Sequence, residues 1–249
     1  MKGLATIYAR ELAGLFLAPL AWILFTGTWF YNAFFFLRFL EVDSHGQVDD
    51  ALSLLLGGAL PFWFLVLVLP PLLTMRMVSE ESRSGMLEFL LTAPVGDGAV
   101  IVGKALAATT FLALVWLAGP VYGVACALAG APPDWGALAV TYLGAVLVAG
   151  LFTALGLLWS TLFQTPLVAA FVAVVTNVVV LFLPLAAQSV GGDARQAARR
   201  VLSKIDVVAN FQGSFQTGVL DTAHLVFFLA WIATLLFVTV RLLERRRWL

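Results

Sequence analysis

From Ala105 to Gly192 the chain carries a single charged side chain, Asp134. About 20 consecutive apolar residues cross the hydrocarbon core of a bilayer as a helix. Inside lipid the backbone can be satisfied only by helices or a closed barrel. A stretch this long and this poor in charge therefore has to fold as several membrane-crossing helices. The remainder agrees, since 62% of the 249 residues are hydrophobic and 11% charged, against about 25% charged in a soluble globular domain. Fourteen basic residues balance fourteen acidic ones, so the composition points to membrane lipid as a partner and not to nucleic acid or a polyanionic substrate.

The hydropathy pattern predicts an all-α membrane protein of six spans, near residues 15–37, 54–75, 105–128, 137–163, 167–187 and 223–241, in one domain covering residues 1–249. Pro61, Pro70 and Pro71 should kink or loosen the second span. Leu4, Ile7, Tyr8, Leu12 and Leu15 share one helical face, with Lys2, Thr6 and Arg10 opposite, which predicts an amphipathic interface helix. Glu11 breaks that pattern, and two readings stand: it pairs with a partner or the cytosolic loop, or it is a solvated edge residue. Met1 to Glu11 lacks the short apolar core and small-residue site of a removable signal peptide. With both termini cytosolic, nine of the fourteen basic residues fall on the cytosolic side. Four of the others, Arg195, Arg199, Arg200 and Lys204, recur at helical spacing in the connection between spans five and six and predict an interfacial helix there.

Secondary carriers and proton relays place ionisable groups within the bilayer, and these spans offer only neutral polar groups such as Thr109, Thr153 and Asn177. Asn177, near the middle of span five, reads as a hydrogen-bonding tie between helices or a path-lining group. His45 and His224 are isolated, Cys126 is a lone packing residue, and neither a metal nor another cofactor is expected. The run from Gly98 to Lys104 has phosphate-loop spacing, but Ala105 stands where Ser or Thr should hold magnesium and no strand precedes it. No catalytic constellation is present, so the chain is not expected to be an enzyme. Gly119-x-x-x-Gly123 and Gly150-x-x-x-Ala154 would allow close helix approach, within the bundle or at a dimer seam.

The segment with the most chemistry is the connection Arg76–Val95 between spans two and three. Arg76, Glu80, Glu81, Arg83 and Glu88 want water or a partner, while Met86, Leu87, Phe89, Leu90 and Leu91 expose apolar area in the same short stretch. A short helix is predicted from Gly85 to Thr92, roughly 12 Å long, with Pro94 stopping it. A helix that short is unstable alone and has to pack on something, whether a partner surface or lipid headgroups.

The order Glu80-Glu81-x-Arg83-x-Gly85-x-Leu87-Glu88-x-Leu90-Leu91-x-x-Pro94-Val95 resembles the cytosolic motif of ABC-2 type permeases, in particular the gliding-motility and nitrous-oxide-reductase-maturation type. Met86 departs from the Thr usual there. Tyr8-Ala-Arg10-Glu11-Leu12 followed by Pro19 is similar to the start of these permeases. The stretch containing Asn210, Phe211, Phe215, Gly218 and Asp221 is similar to their C-terminal third, where short external or re-entrant helices lie between spans five and six. Read from the residues alone, Phe211 and Phe215 are ordinary interfacial anchors.

The resemblance implies that the Arg76–Val95 loop is a coupling helix seated in a cytosolic ABC ATPase dimer, in a bacterial inner membrane. It also implies a second permease, either the same chain or a companion with an external domain. The implied function is transport of a substrate that the residues do not identify, driven by ATP hydrolysis in a separate subunit. The alternative is mechanical transmission of ATPase motion to an external partner.

Overall fold

The first break in the helical run falls at Pro19. A residue before proline is pushed out of the helical region, and Ala18 is extended (φ −78°, ψ 125°). The chain is thereby divided into α1 (Leu4–Leu17) and α2 (Pro19–Arg38), the latter continued by a π-helical turn at Phe39–Asp43. The computed structural model describes residues 3–43, 45–85, 96–186 and 205–246. There follow α3 (Val48–Ser53), a π turn (Leu54–Gly58), α4 (Leu60–Thr74), α5 (Ser79–Arg83), α6 (Asp97–Trp116) and α7 (Ala118–Leu128). The order ends with α8 (Trp135–Leu162), α9 (Pro166–Ala186), α10 (Val207–Gln212), a 3-10 turn (Phe215–Thr217) and α11 (Thr222–Arg246).

Among the described residues there is no strand. Six helical stretches among the described residues are long and apolar enough to cross a membrane: Pro19–Asp43, Val48–Arg83, Asp97–Leu128, Trp135–Leu162, Pro166–Pro184 and Thr222–Arg245. The helical class and the number of spans agree with the sequence pattern, while their ends differ. Residues 15–17 belong to α1, because Pro19 interrupts the run. The third stretch starts at Asp97, so Lys104 lies inside its helix and not at its end.

Span two is broken where it meets the connection between spans five and six. Leu56 and Gly57 leave helical geometry, Gly57 at φ 142°, and Ala59 is extended ahead of Pro61. A Cβ at Gly57 would lie 2.1 Å from a ring carbon of Phe211, so only glycine fits both the backbone and the space. The Gly57 carbonyl accepts from Trp63 Nε1 (2.9 Å) and Gln212 Nε2 (3.4 Å). Pro70 and Pro71 remain inside α4.

The long helix α8 is the axis of the bundle, packed by α4, α6, α9 and α11. In the fourth span 67% of the apolar stretch is buried, against 22% in the first, 28% in the fifth and 11% in the sixth. Spans two to four are thus the core, and spans one, five and six turn apolar faces outward. Phe62, Trp63, Phe111, Trp116, Phe152 and Phe228 fill the centre. The small-residue motifs serve this internal packing: Gly119 approaches Leu56, Gly123 approaches Leu138 and Gly150 approaches Ile232.

Candidate functional site

The described part of the Arg76–Val95 loop is held against the bundle by a hydroxyl and a set of charges. Met77 and Val78 are buried with Ile101, Leu157 and Leu243, which anchors the start of α5. Ser160, near the end of α8, accepts hydrogen bonds from the N–H groups of Val78 and Ser79 (both 3.2 Å) and donates to the Met75 carbonyl (3.2 Å). One hydroxyl offers one donor and two acceptor sites, so Ser160 is fully used in closing the turn. Gly85 follows the end of α5 at φ 73°, the left-handed stop that ends many helices.

Beside this clamp lies an ionic cluster built from three parts of the chain. Lys104 of α6 is 1% exposed, and its Nζ stands 2.8 Å from Glu81 Oε1 of α5 and 3.0 Å from Glu11 Oε1 of α1. Arg10 Nη2 completes the cluster at 2.6 Å from Glu11 Oε1 and 3.3 Å from Glu81 Oε1. Two cations and two carboxylates cancel, which lets charges sit where an unpaired one would carry a heavy desolvation cost. The hydrogen bond to Glu11 raises the Arg10 pKa above its ordinary value, opposed by partial burial and helped by the charges of Glu11 and Glu81. Glu11 is thus neither a solvated edge residue nor bonded to the loop itself: its partners are Arg10 and Lys104, and it meets the loop only through these cations, which Glu81 shares. Tyr8 adds a hydrogen bond to Thr110 (3.2 Å), and Ile7 packs onto Gly103.

Arg76, Glu80 and Arg83 are exposed, whereas Glu81 is turned inward. The remaining loop candidates, Leu87, Glu88, Leu90, Leu91 and Pro94, lie outside the described residues, as does the helix expected over Gly85–Thr92. The interfacial helix expected around Arg195, Arg199, Arg200 and Lys204 lies outside them too. The run from Gly98 to Lys104 is the opening of α6, so its backbone is helical and does not form a phosphate-cradling loop.

At the other end of α8, roughly 28 Å from Ser160 along a helix rising 1.5 Å per residue, sits the second group of candidates. Asp206 caps α10 by accepting from Ala209 N–H (2.9 Å). Phe211 and Phe215 are fully buried, stacked with each other, with Phe211 also on Phe62 and Trp63. They are core residues and not interfacial anchors, because the connection folds back onto the bundle. Thr141 donates to the Phe215 carbonyl (2.9 Å), and Gly218, at φ 73°, lies against Ala137. Asn210 Oδ1 is 2.8 Å from His224 Nδ1, and Asp221 accepts from Ala223 N–H (2.9 Å) at the start of α11. Asn177 is fully buried in span five and donates to the Leu67 carbonyl of span two (3.4 Å).

Ser160 and Lys104 are the contributors that sequence reasoning passed over as partners. Ser160 looks like any polar residue near a helix end. Lys104 carried a signal in its neighbours, since Glu11 stood on an apolar face and needed a cation.

A family model described as ABC-2 family transporter protein matches residues 15–248. No curated protein matches the chain.

Proposed function

The chain belongs to the ABC-2 family of transporter proteins, and from that membership we propose that it is a permease subunit worked by cytosolic ATPase subunits through the Arg76–Val95 loop. Members of this family are multi-pass membrane subunits that normally partner with an ABC ATPase. The observation that carries the reading is the contact of buried Lys104 with Glu81, at 2.8 Å. It ties the loop to span three, while Arg10 ties the loop to α1, Glu11 ties α1 to Lys104, and Ser160 ties the loop to span four.

In this reading the exposed Arg76, Glu80 and Arg83, continued by Leu87, Glu88, Leu90, Leu91 and Pro94, meet the ATPase. Gly85 ends α5. Closure of the ATPase pair on ATP pushes the loop. A charge cluster holds direction better than apolar contact alone, so the push reaches spans three and four and the interface helix together. Access to a path between two permeases changes as the bundles tilt. Both termini then face the cytosol of a bacterial cell, and the outward apolar faces of spans one, five and six meet lipid and the second permease. The gliding-motility and nitrous-oxide-reductase-maturation subtype fits the order of the loop motif, and a companion permease with an external domain is then the second half.

One observation favours mechanical transmission as a second reading. The helix α8 carries Ser160 at the loop end and Thr141 at the Phe215 turn, so one rigid rod joins the driven end to the segment containing Asn210, Phe211, Phe215, Gly218 and Asp221.

The coupling test uses the complex with its ATPase, purified and reconstituted. Arg83→Ala and Glu88→Ala should lower permease-stimulated ATP hydrolysis with the complex intact. Unchanged stimulation removes the docking role. ATP-dependent movement of a solute into or out of proteoliposomes separates transport from transmission.

A further inference from the structure

Between α1, the beginning of span one and the loop end of span two lies a cleft of about 680 Å³, within the usual range for small-molecule sites. Its two ends differ in chemistry. One end is apolar, walled by Leu15, Ala18, Leu72 and Leu73, level with the last turns of α4 and the Pro19 break. The other is charged, walled by Arg76, Glu80 and the Arg10–Glu11–Glu81 side of the ionic cluster. Gly14 also lines the cleft, and a Cβ built there would meet nothing within 4 Å. The cluster charges are already matched by one another and by Lys104. That leaves Arg76 and Glu80, one helical turn apart, both exposed and neither in an ion pair among the described residues.

A ligand for this cleft has to be apolar at one end and carry both signs of charge at the other. It also has to enter from the lipid side, because the apolar half lies among the span ends. We infer that the cleft holds one zwitterionic glycerophospholipid of the phosphatidylethanolamine kind, its phosphate on Arg76, its ammonium on Glu80 and an acyl chain along Leu15 and Leu73. Arg suits phosphate because its planar fork of donors matches the phosphate oxygens. A primary ammonium has the donors that the Glu80 carboxylate accepts. The site shares Arg76 and Glu80 with the coupling reading but needs no ATPase, so a test on the chain alone fails or succeeds independently of that reading; a lipid seated there is a wedge between α1 and span two, against the wall formed by the ionic cluster. Lipid exchange would then bias how firmly α1 is held.

The test is native mass spectrometry of the full chain after reconstitution in vesicles of equal parts phosphatidylethanolamine and phosphatidylglycerol, followed by extraction into mild detergent. The wild type should retain one phosphatidylethanolamine through delipidation. Losing one charge-assisted contact in Arg76→Gln or Glu80→Gln should cut retention about tenfold. Gly14→Trp, which puts an indole into the cleft from α1, should abolish it, while Arg38→Gln, outside the cleft, should leave it unchanged. Equal or better retention of phosphatidylglycerol overturns the zwitterionic assignment. Full retention in Gly14→Trp places the lipid on another surface and overturns the site. If Gly14→Trp fails to fold, unchanged retention in both Arg76→Gln and Glu80→Gln overturns it.

Discussion

Asn177 donates its side-chain amide to the carbonyl of Leu67 (3.4 Å), the carbonyl whose helical partner would be the N–H of residue 71, a proline. Pro71 has no N–H to give, so span two would carry an unsatisfied acceptor in its apolar interior. Span five supplies the missing donor. A proline within a membrane helix is tolerated where a neighbour re-satisfies the freed backbone group, and that neighbour fixes the register of the two spans.

Replacing Asn177 with valine should cost about 1 kcal/mol, the scale of interhelical hydrogen bonds in membranes. In Pro71→Ala the backbone donor returns, so the same Asn177→Val change should cost nearly nothing. A double-mutant cycle of thermal unfolding in detergent measures this. Equal costs in the two backgrounds would show that the contact with Leu67 is incidental.

Lys104→Met should destabilise the fold by about 3–5 kcal/mol, because it leaves Glu11 and Glu81 facing each other without their buried cation. Adding Glu11→Gln and Glu81→Gln to Lys104→Met should recover most of the loss, since a neutral site of similar shape lacks the desolvation cost. Midpoints of thermal unfolding for the single and triple variants read both effects.

Ser160→Ala removes the acceptor for the Val78 and Ser79 N–H groups. Each orphaned buried donor costs about 1–3 kcal/mol, lowered where the turn can admit water. The expected signature is faster proteolysis at the loop and weaker stimulation of ATP hydrolysis, with spans otherwise folded. A variant with wild-type cleavage rates would mean that the apolar anchor of Met77 and Val78 holds the loop alone.

Gly156→Ala should destabilise by about 1–3 kcal/mol through overpacking, because its Cβ would sit 2.1 Å from Thr74 Oγ1. Thr74→Ala removes that oxygen and should rescue most of the loss in the double variant. Absence of rescue, read as the unfolding temperature, would place the strain elsewhere on α8.

Ser84 is exposed at the end of α5, and a cysteine placed there reports the side of the membrane. Ser84→Cys in a background lacking Cys126 should react with an impermeant thiol reagent only after the cells are opened. Labelling of intact cells would invert the topology and remove the ATPase reading.

Much of this protein was determined by the sequence alone. Charge-poor runs of about 20 residues leave the chain no fold but a helical bundle in lipid, and the break at Pro19, though the expected span ran through it, follows from the restriction a proline puts on the residue before it. The exposed charges of the loop were also readable, because a charged motif between apolar runs has nowhere to go but water or a partner. Which of these groups find each other depends on the packed bundle. The Lys104 ammonium meets Glu11 and Glu81 across 93 and 23 residues of chain, and Phe211 turns inward to fill the break at Gly57. Local periodicity describes one helix face at a time, whereas pairing of buried charges and closure of a kink depend on the positions of several helices at once.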